Sequence, residues 1–171
     1  DAVICVADDE VRARAESLLD AAGVAPFRVR YVEIPYDDTW LRDSGPITLR
    51  DGSGFRYLDF RFTGWGGKYE ASRDDALVSG LSELGLLLRQ FVERIDFALE
   101  GGSIETDGRG TLLTTWRCLS ERHPDKSREQ IEATLKSSLR QERVLWLDHG
   151  YLEGDDTDAH VDTLARFAPD D

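Results

Sequence analysis

The chain has 171 residues, of which 40% are hydrophobic and 32% are charged, and this composition predicts one folded domain or part of a larger one rather than a disordered segment. Its formal net charge of −13 argues against a nucleic acid or an anionic membrane surface as partner, because both require basic patches. No apolar run is long enough to span a bilayer, and no segment has the pattern of a secretory signal peptide.

Hydrophobic periodicity predicts an alternation of strands and helices along the chain. Short apolar runs and strict alternation indicate strands, and apolar residues recurring every three to four positions indicate helices. In chain order we predict a strand over 2–7, a helix over 8–23, a strand over 27–34, an acidic loop over 35–46, an Asp-Gly hairpin over 47–60, a helix over 72–90, a strand over 92–99, a Gly-rich loop over 100–103, a second Asp-Gly hairpin over 104–115, a helix over 127–141, a strand over 143–149, a third acidic loop over 150–159 and a strand entering a turn over 160–171.

The order of strand, acidic loop, hairpin and helix appears twice in full and begins a third time. Asp43, Glu100 and His160 occupy similar points in these three units. If the units are arranged radially, the loops at the strand ends face one centre, and side chains far apart in sequence form one site. Because the third unit stops inside its hairpin turn and methionine is absent even at position 1, we expect a piece of a longer protein, or a chain that another chain completes.

The motif WLRDSGP places Trp40 close to Asp43 in the first acidic loop. A tryptophan face can stack on a planar guanidinium cation, and a carboxylate such as Asp43 can accept two hydrogen bonds from the same group. The alternative is a core tryptophan beside a surface turn formed by Arg42 and Asp43, and the motif taken alone favours that alternative.

Two glycine-rich motifs are weaker signals. In FTGWGGKYE, three glycines around Trp65 indicate a close backbone approach, but a tight loop that packs one tryptophan is the simpler interpretation. The spacing fits neither a dinucleotide-binding motif nor a P-loop. In EGGS, Glu100 ends a predicted strand, so its carboxylate can project over the end of the sheet, although a plain turn is the simpler explanation.

The stretch GDDTDAHVD contains four carboxylates and one histidine, which a metal, a basic substrate or only solvent must balance. In the predicted strand His160 and Asp162 face the same side, and a neighbouring carboxylate keeps an imidazole basic and suited to general acid–base chemistry. The stretch lacks the glycine, the terminal glutamate and the flanking helices of an EF-hand. One histidine with several aspartates is poor zinc chemistry, and a solvated loop is the remaining alternative.

Taken together, the motifs DDTWLRDSGP, WGGKYE, EGGSIETDGRGTLLTT and DDTDAHVDTLARF closely resemble, in this order, the agmatine deiminase and bacterial-type peptidyl-arginine deiminase family of guanidino-group-modifying enzymes. The resemblance extends from about Tyr31 to Phe167. It implies the α/β pentein fold, a pseudo-five-fold propeller of ββαβ units. Residues 1–171 would then hold about the first two and a half units, as the N-terminal part of a single catalytic domain.

The resemblance also implies a role for each matching residue. Asp43 and Asp162 are expected to be catalytic carboxylates that bind the guanidinium nitrogens of the substrate. His160 is expected to be the general acid–base, and Glu100 a site acid near it. The family's nucleophile is a cysteine near the C-terminus of a considerably longer chain, so the isolated 171-residue chain is expected to be inactive.

Further expectations concern the substrate and the setting of the protein. Trp40 and Asp156 are expected to contact the chain and the distal amine of the substrate, whereas Asp155 and Asp158 are assigned to loop structure. The two cysteines of the chain do not match the family's nucleophile and form no CxxC pair. A reduced, cytoplasmic setting is therefore expected.

The reaction implied is hydrolytic deimination through a covalent amidino-thioether, without a metal or an organic cofactor. Agmatine is favoured as the small cationic substrate, giving N-carbamoylputrescine and ammonia in polyamine biosynthesis, because the motifs are acidic and contain no evident arginine clamp. The alternatives are deimination of peptidyl-arginine, a non-catalytic fragment and, least favoured, a metal hydrolase. Homo-oligomerisation is left open.

Overall fold

The structure, a computed structural model, describes residues 2–52, 54–150, 152–154 and 159–168, and its strands form three small sheets. The strands are β1 (Ala2–Val6), β2 (Val29–Glu33), β3 (Ile47–Asp51), β4 (Gly54–Arg61), β5 (Val92–Ala98), β6 (Ile104–Thr106), β7 (Thr111–Thr115) and β8 (Arg143–Leu147). The helices are α1 (Asp9–Ala21), α2 (Leu41–Ser44), the single turn α3 (Gly64–Gly67), α4 (Ser72–Asp75), α5 (Leu77–Glu83), α6 (Trp116–Arg122) and α7 (Arg128–Leu139). Short 3-10 helices lie at Pro26–Arg28, Arg89–Phe91, Gly101–Ser103 and Val161–Thr163.

Two of the sheets repeat one topology. In each, a hairpin is joined by a helical crossover to a third strand that lies parallel to the middle strand: β3 pairs antiparallel with β4 and β4 parallel with β5, and β6, β7 and β8 pair in the same way. Strands β1 and β2 form a parallel pair around α1. The predicted ββαβ repeat is therefore confirmed, and the ends of β2, β5 and β8 are equivalent points in the three units.

The main core lies beneath the two repeated units. Helix α7 begins with a capping box in which Ser127 and Gln130 satisfy each other's backbone groups. It buries Ile131, Leu135 and Leu139, which recur every four residues on one face. Replacing Leu135 with alanine should cost about 2–5 kcal/mol of unfolding free energy. The buried members of this core are Leu58, Phe60, Phe97, Leu99, Ile104, Leu112, Leu119, Ile131, Leu135, Leu139 and Val144.

Two predicted elements differ from those observed, and one observed helix was not predicted. The segment after His160 is not a strand but the 3-10 helix Val161–Thr163, in which the Leu164 and Ala165 amides donate to the Val161 carbonyl. The predicted helix over 72–90 is divided into α4, α5 and a 3-10 turn. Helix α6 was not predicted; it begins where the Thr115 hydroxyl accepts a hydrogen bond from the Cys118 amide.

No helix in the described ranges combines the length and the apolar character needed to cross a bilayer. Much of the third acidic loop, including Asp155, Asp156 and Asp158, lies outside the described residues.

Candidate active site

Three predicted site residues converge at the ends of equivalent strands. Asp43 lies in α2 after β2, Glu100 lies two residues after the end of β5, and His160 follows β8. The Nδ1 atom of His160 lies 3.7 Å from Asp43 Oδ1, and its Nε2 atom lies 3.5 Å from Glu100 Oε2. The expectation that the three units contribute to one centre is confirmed, with the imidazole between two carboxylates.

Two neutral donors hold the Asp43 carboxylate, which is 9% exposed. The indole Nε1 of Trp65 donates to Oδ2 at 3.0 Å, and the Gly102 amide donates to Oδ1 at 2.9 Å. These bonds fix the orientation of the carboxylate without adding a positive charge beside it, which suits a site for a cation.

Gly102 occupies the narrowest point of the centre. A Cβ atom there would lie 2.5 Å from His160 Nδ1, 2.7 Å from Asp43 Oδ1 and 2.8 Å from Asp162 Oδ2. Real Cβ atoms do not approach other atoms so closely, so only glycine fits this position. The same distances place Asp162 beside His160 and Asp43. The predicted neighbourhood of His160 and Asp162 is thus correct, although a 3-10 helix and not a strand produces it.

Glu100 is held by charged and polar groups from helix α6. Its carboxylate is 1% exposed, Arg122 Nε donates to Oε1 at 2.8 Å, and the Cys118 thiol donates to Oε2 at 3.8 Å. Burial alone would raise the pKa of Glu100, but the positive charges of His160 and Arg122, together with the hydrogen bond from Arg122, outweigh burial and lower it. Glu100 is therefore a buried carboxylate that stays ionised, and its interpretation as a plain turn residue is wrong.

The surroundings of His160 favour the protonated imidazole. Burial disfavours the charged ring, but the neighbouring carboxylates of Glu100, Asp43 and Asp162 outweigh burial, and the pKa of His160 is raised. The 3.5 Å separation from Glu100 is an ion-pair distance, since Nε2 makes no well-aligned hydrogen bond in the described residues. Such an imidazolium can deliver a proton at near-neutral pH.

Trp40 is 63% exposed, and Asp43 beside it is buried. The interpretation of Trp40 as a core residue next to a surface turn is therefore wrong on both counts. Its stacking on a substrate remains a prediction, as does the amine contact of Asp156, which lies outside the described residues.

Sequence reasoning missed a second layer formed by Trp65, Cys118 and Arg122. The prediction that FTGWGGKYE is a tight loop around one tryptophan is confirmed, because Trp65 is buried between Phe62 and Tyr69. Its bond to Asp43 was not predicted, although the glycines around Trp65 indicated a close approach. Cys118 and Arg122 carried no signal, because helix α6 itself was not predicted.

One set of metal-binding side chains lies in this centre. The ligand atoms of Glu100, Cys118 and His160 lie within 4.8 Å of one another, and all three residues are buried. This set includes a thiol that the zinc alternative lacked in the sequence. However, the guanidinium of Arg122 already binds the same carboxylate, and its positive charge opposes a further cation there.

Comparison with known proteins places the chain in a family. The family model described as Porphyromonas-type peptidyl-arginine deiminase matches residues 1–171. The chain belongs to this family of guanidino-group deiminases, and the α/β pentein fold expected for it is confirmed.

Relatives with two names match the chain. A crystal structure described as that of a "putative peptidyl-arginine deiminase" matches at 43% identity and a TM-score of 0.77, over 81% of this chain and 42% of that one, and several other relatives are named agmatine deiminases. The chain is 43% identical to the agmatine deiminase of Stutzerimonas stutzeri over 166 residues, which cover 92% of this chain and 44% of that protein. It matches a substrate-bound C. jejuni agmatine deiminase with a cysteine-to-serine substitution at 32% identity and a TM-score of 0.82, over 96% of this chain and 47% of that one. An Enterococcus faecalis agmatine deiminase matches at 32% identity and a TM-score of 0.78, over 96% of this chain and 45% of that one. The chain thus spans less than half the length of these relatives.

Proposed function

We propose that the protein containing this chain hydrolyses a guanidinium group, with agmatine as the preferred substrate and N-carbamoylputrescine and ammonia as products. The observation that carries this proposal is the buried imidazole of His160 set among the carboxylates of Asp43, Glu100 and Asp162. Such a centre has negative charge for a cation and a proton for a leaving ammonia.

In the proposed reaction Asp43 and Asp162 bind and orient the substrate guanidinium. A guanidinium is a poor electrophile because its charge is delocalised, and two fixed carboxylates localise that charge. A thiolate, expected from a cysteine outside this chain, attacks the central carbon and forms a C–S bond. His160 protonates one nitrogen, so the C–N bond breaks and ammonia leaves.

The same histidine serves the second half of the reaction. As a neutral base it takes a proton from water, whose oxygen attacks the amidino-thioether carbon. The remaining hydroxyl proton passes to solvent as the C–S bond breaks, which restores the thiolate and gives the neutral ureido product. Glu100 sits against the His160 ring, stabilises its charged form and holds it in one orientation.

Agmatine is preferred over peptidyl-arginine for two reasons. The site is acidic and suits a dication, and the three agmatine deiminases described above match over 92% or more of this chain. The family model carries the name of peptidyl-arginine deiminase, so deimination of arginine in peptides is the second candidate. Its site would have to admit a peptide backbone.

The test is ammonia release by the full-length protein from agmatine and from a peptidyl-arginine substrate. We expect turnover of agmatine, its loss in His160→Asn, and its retention in His149→Asn, since His149 is exposed. Turnover of peptidyl-arginine alone would select the second candidate. An active His160→Asn variant would exclude the proposed chemistry.

A further inference from the structure

We propose that Arg122 is a positioning residue: it holds one oxygen of the Glu100 carboxylate, Oε1, and thereby directs the other, Oε2, toward His160. This inference rests on the proposed function of the same site. The Arg122 guanidinium occupies Oε1, so that Oε2 is directed to His160. The carboxylate then supports the acid–base histidine in one fixed orientation and charge state.

Helix α6 supplies both contacts to Glu100. Arg122 and Cys118 are four residues apart and lie on one face of the helix. Arg122 donates to Oε1 at 2.8 Å, and the Cys118 thiol donates to Oε2 at 3.8 Å. Because both donors come from one rigid element, the carboxylate cannot rotate without losing one of them.

The burial of this ion pair points to function rather than to stability. The side chains of Arg122 and Glu100 are 2% and 1% exposed. Buried ion pairs are weak stabilisers, since desolvation offsets the attraction and well-packed apolar residues often serve as well. An internal guanidinium next to a site that is proposed to bind a substrate guanidinium must therefore contribute something that apolar packing does not, and a fixed, ionised Glu100 is that contribution.

The glycine-rich turn α3 links this layer to the other carboxylate. A Cβ atom on Gly66 would lie 2.9 Å from Arg122 Nη1, so the backbone of the turn closes directly over the guanidinium. The neighbouring residue, Trp65, donates to Asp43. The WGG motif thus contacts the groups that hold both carboxylates: Trp65 donates to Asp43, and Gly66 packs against Arg122, which donates to Glu100.

The positive charge of Arg122, like its hydrogen bond, favours the ionised form of Glu100. Together with His160 it overcomes the effect of burial and lowers the pKa of Glu100. Loss of that charge should raise the pKa of Glu100 and narrow the pH range in which Glu100 is ionised beside His160.

The experiment compares Arg122→Met, Arg122→Lys and the control Arg117→Met in the full-length protein. Arg117 lies on the same helix, where it pairs with Glu121 at the surface, 49% exposed. In Arg122→Met we expect kcat to fall on the order of 10²-fold, with little change in KM and a shift of the acid limb of the kcat profile to higher pH. Arg122→Lys should restore the position of the acid limb and part of kcat. Arg117→Met should match the wild type.

Each outcome decides the inference. An Arg122→Met variant with the kcat and pH profile of Arg117→Met overturns it, as does a loss of kcat with no shift of the acid limb. If Arg122→Met does not fold, as judged by circular dichroism, Arg122→Lys decides alone: reduced kcat with an unmoved acid limb is expected, and wild-type kcat or a moved limb contradicts the inference. A wild type that is inactive on both substrates overturns the proposed function and this inference together.

Discussion

The two buried carboxylates at the ends of β2 and β5 are held in different ways. Asp43 accepts hydrogen bonds from two neutral donors, the Trp65 indole and the Gly102 amide. Glu100 is bound by the charged Arg122 and faces His160. Both carboxylates face the His160 ring, Asp43 at 3.7 Å from Nδ1 and Glu100 at 3.5 Å from Nε2, but of the two Glu100 also accepts a hydrogen bond from a guanidinium. The difference suggests separate tasks: Asp43 for binding a cation, and Glu100 for controlling a proton.

The sharpest test of this comparison is Glu100→Gln in the full-length protein. Glutamine keeps an acceptor for Arg122 but removes the negative charge beside His160. We expect kcat on agmatine to fall on the order of 10²- to 10³-fold, while KM changes little. The control Glu121→Gln alters a carboxylate that is 45% exposed on helix α6, and its steady-state kinetics should match the wild type. If Glu100→Gln changed KM alone, Glu100 would act in substrate binding as Asp43 does, and the proposed difference between the two carboxylates would be wrong.

Gly102→Ala is expected to disturb both carboxylates at once. The added methyl group would meet His160, Asp43 and Asp162 at 2.5–2.8 Å, so the centre must open. A displacement of about 1 Å can cost about 10²-fold in rate, and we expect a loss of that order in kcat/KM with the fold retained. In Gly108→Ala, a Cβ atom meets nothing within 4 Å, and the φ of +69° adds only local backbone strain away from the site, so activity should persist. Equal activity of the two variants would contradict the crowding described here.

Trp65→Phe tests the neutral side of the comparison. It removes the indole donor to Asp43 and leaves an aromatic ring against Phe62. Hydrogen bonds to charged groups contribute about 1.5–3 kcal/mol, so KM for agmatine should rise roughly 10- to 100-fold, with a smaller effect on kcat. Trp146→Phe, which loses a bond to Glu132 instead, is the matched control. An unchanged KM in Trp65→Phe would show that the Trp65 hydrogen bond to Asp43 does not contribute to substrate binding.

The smallest expected effect concerns His123, a second buried histidine. It stacks on Phe97 at 3.8 Å, and its Nε2 lies 2.9 Å from the Ala98 carbonyl. Burial lowers the pKa of His123, whereas the carboxylates around His160 raise the pKa of that residue. The neutral His123 ring therefore stabilises the fold above the unfolded pKa of about 6.5, and this contribution is lost as the pH falls below it.

The contribution of His160 has the opposite sign. It is present below about pH 6.5 and lost as the pH rises through the raised folded pKa.

Because the pKa of His123 is lowered in the fold, thermal melting of His123→Phe between about pH 5 and 7.5 should show a shallower loss of stability on acidification than the wild type. A steeper loss in the variant would show that His123 is not held neutral.

How much of this site the sequence could predict depends on the kind of signal. The repeat of strand, acidic loop and hairpin predicted that Asp43, Glu100 and His160 would meet, because equivalent strand ends face one centre. The local backbone geometry was harder to predict. The sequence predicts a strand after His160, but the backbone there makes its own hydrogen bonds in a 3-10 turn. Both geometries bring Asp162 beside His160, so the error left the predicted pair intact.

The second layer could not be predicted for a physical reason. Arg122 acts through its burial, and that burial is set by the packing of α6 against α3 and α7, which lie in other parts of the chain. Trp65 carried a partial signal, since the glycines beside it take left-handed backbone conformations, with φ of +61° at Gly64 and +81° at Gly66. The atom that its indole contacts is set by tertiary packing, which the local sequence does not specify. Motifs predicted the residues that face the centre, and packing determined those that hold them.

The most direct test of the account is the binding of agmatine, measured by calorimetry, to the full-length protein in which the cysteine proposed as the nucleophile is replaced. We expect Asp43→Asn to raise the Kd on the order of 10²- to 10³-fold, because it removes a buried charge from the cation site. Asp96→Asn, at a carboxylate that is 88% exposed on β5, should leave the Kd unchanged. An Asp43→Asn variant that binds agmatine as tightly as the Asp96→Asn variant would contradict the claim that this buried centre binds a guanidinium.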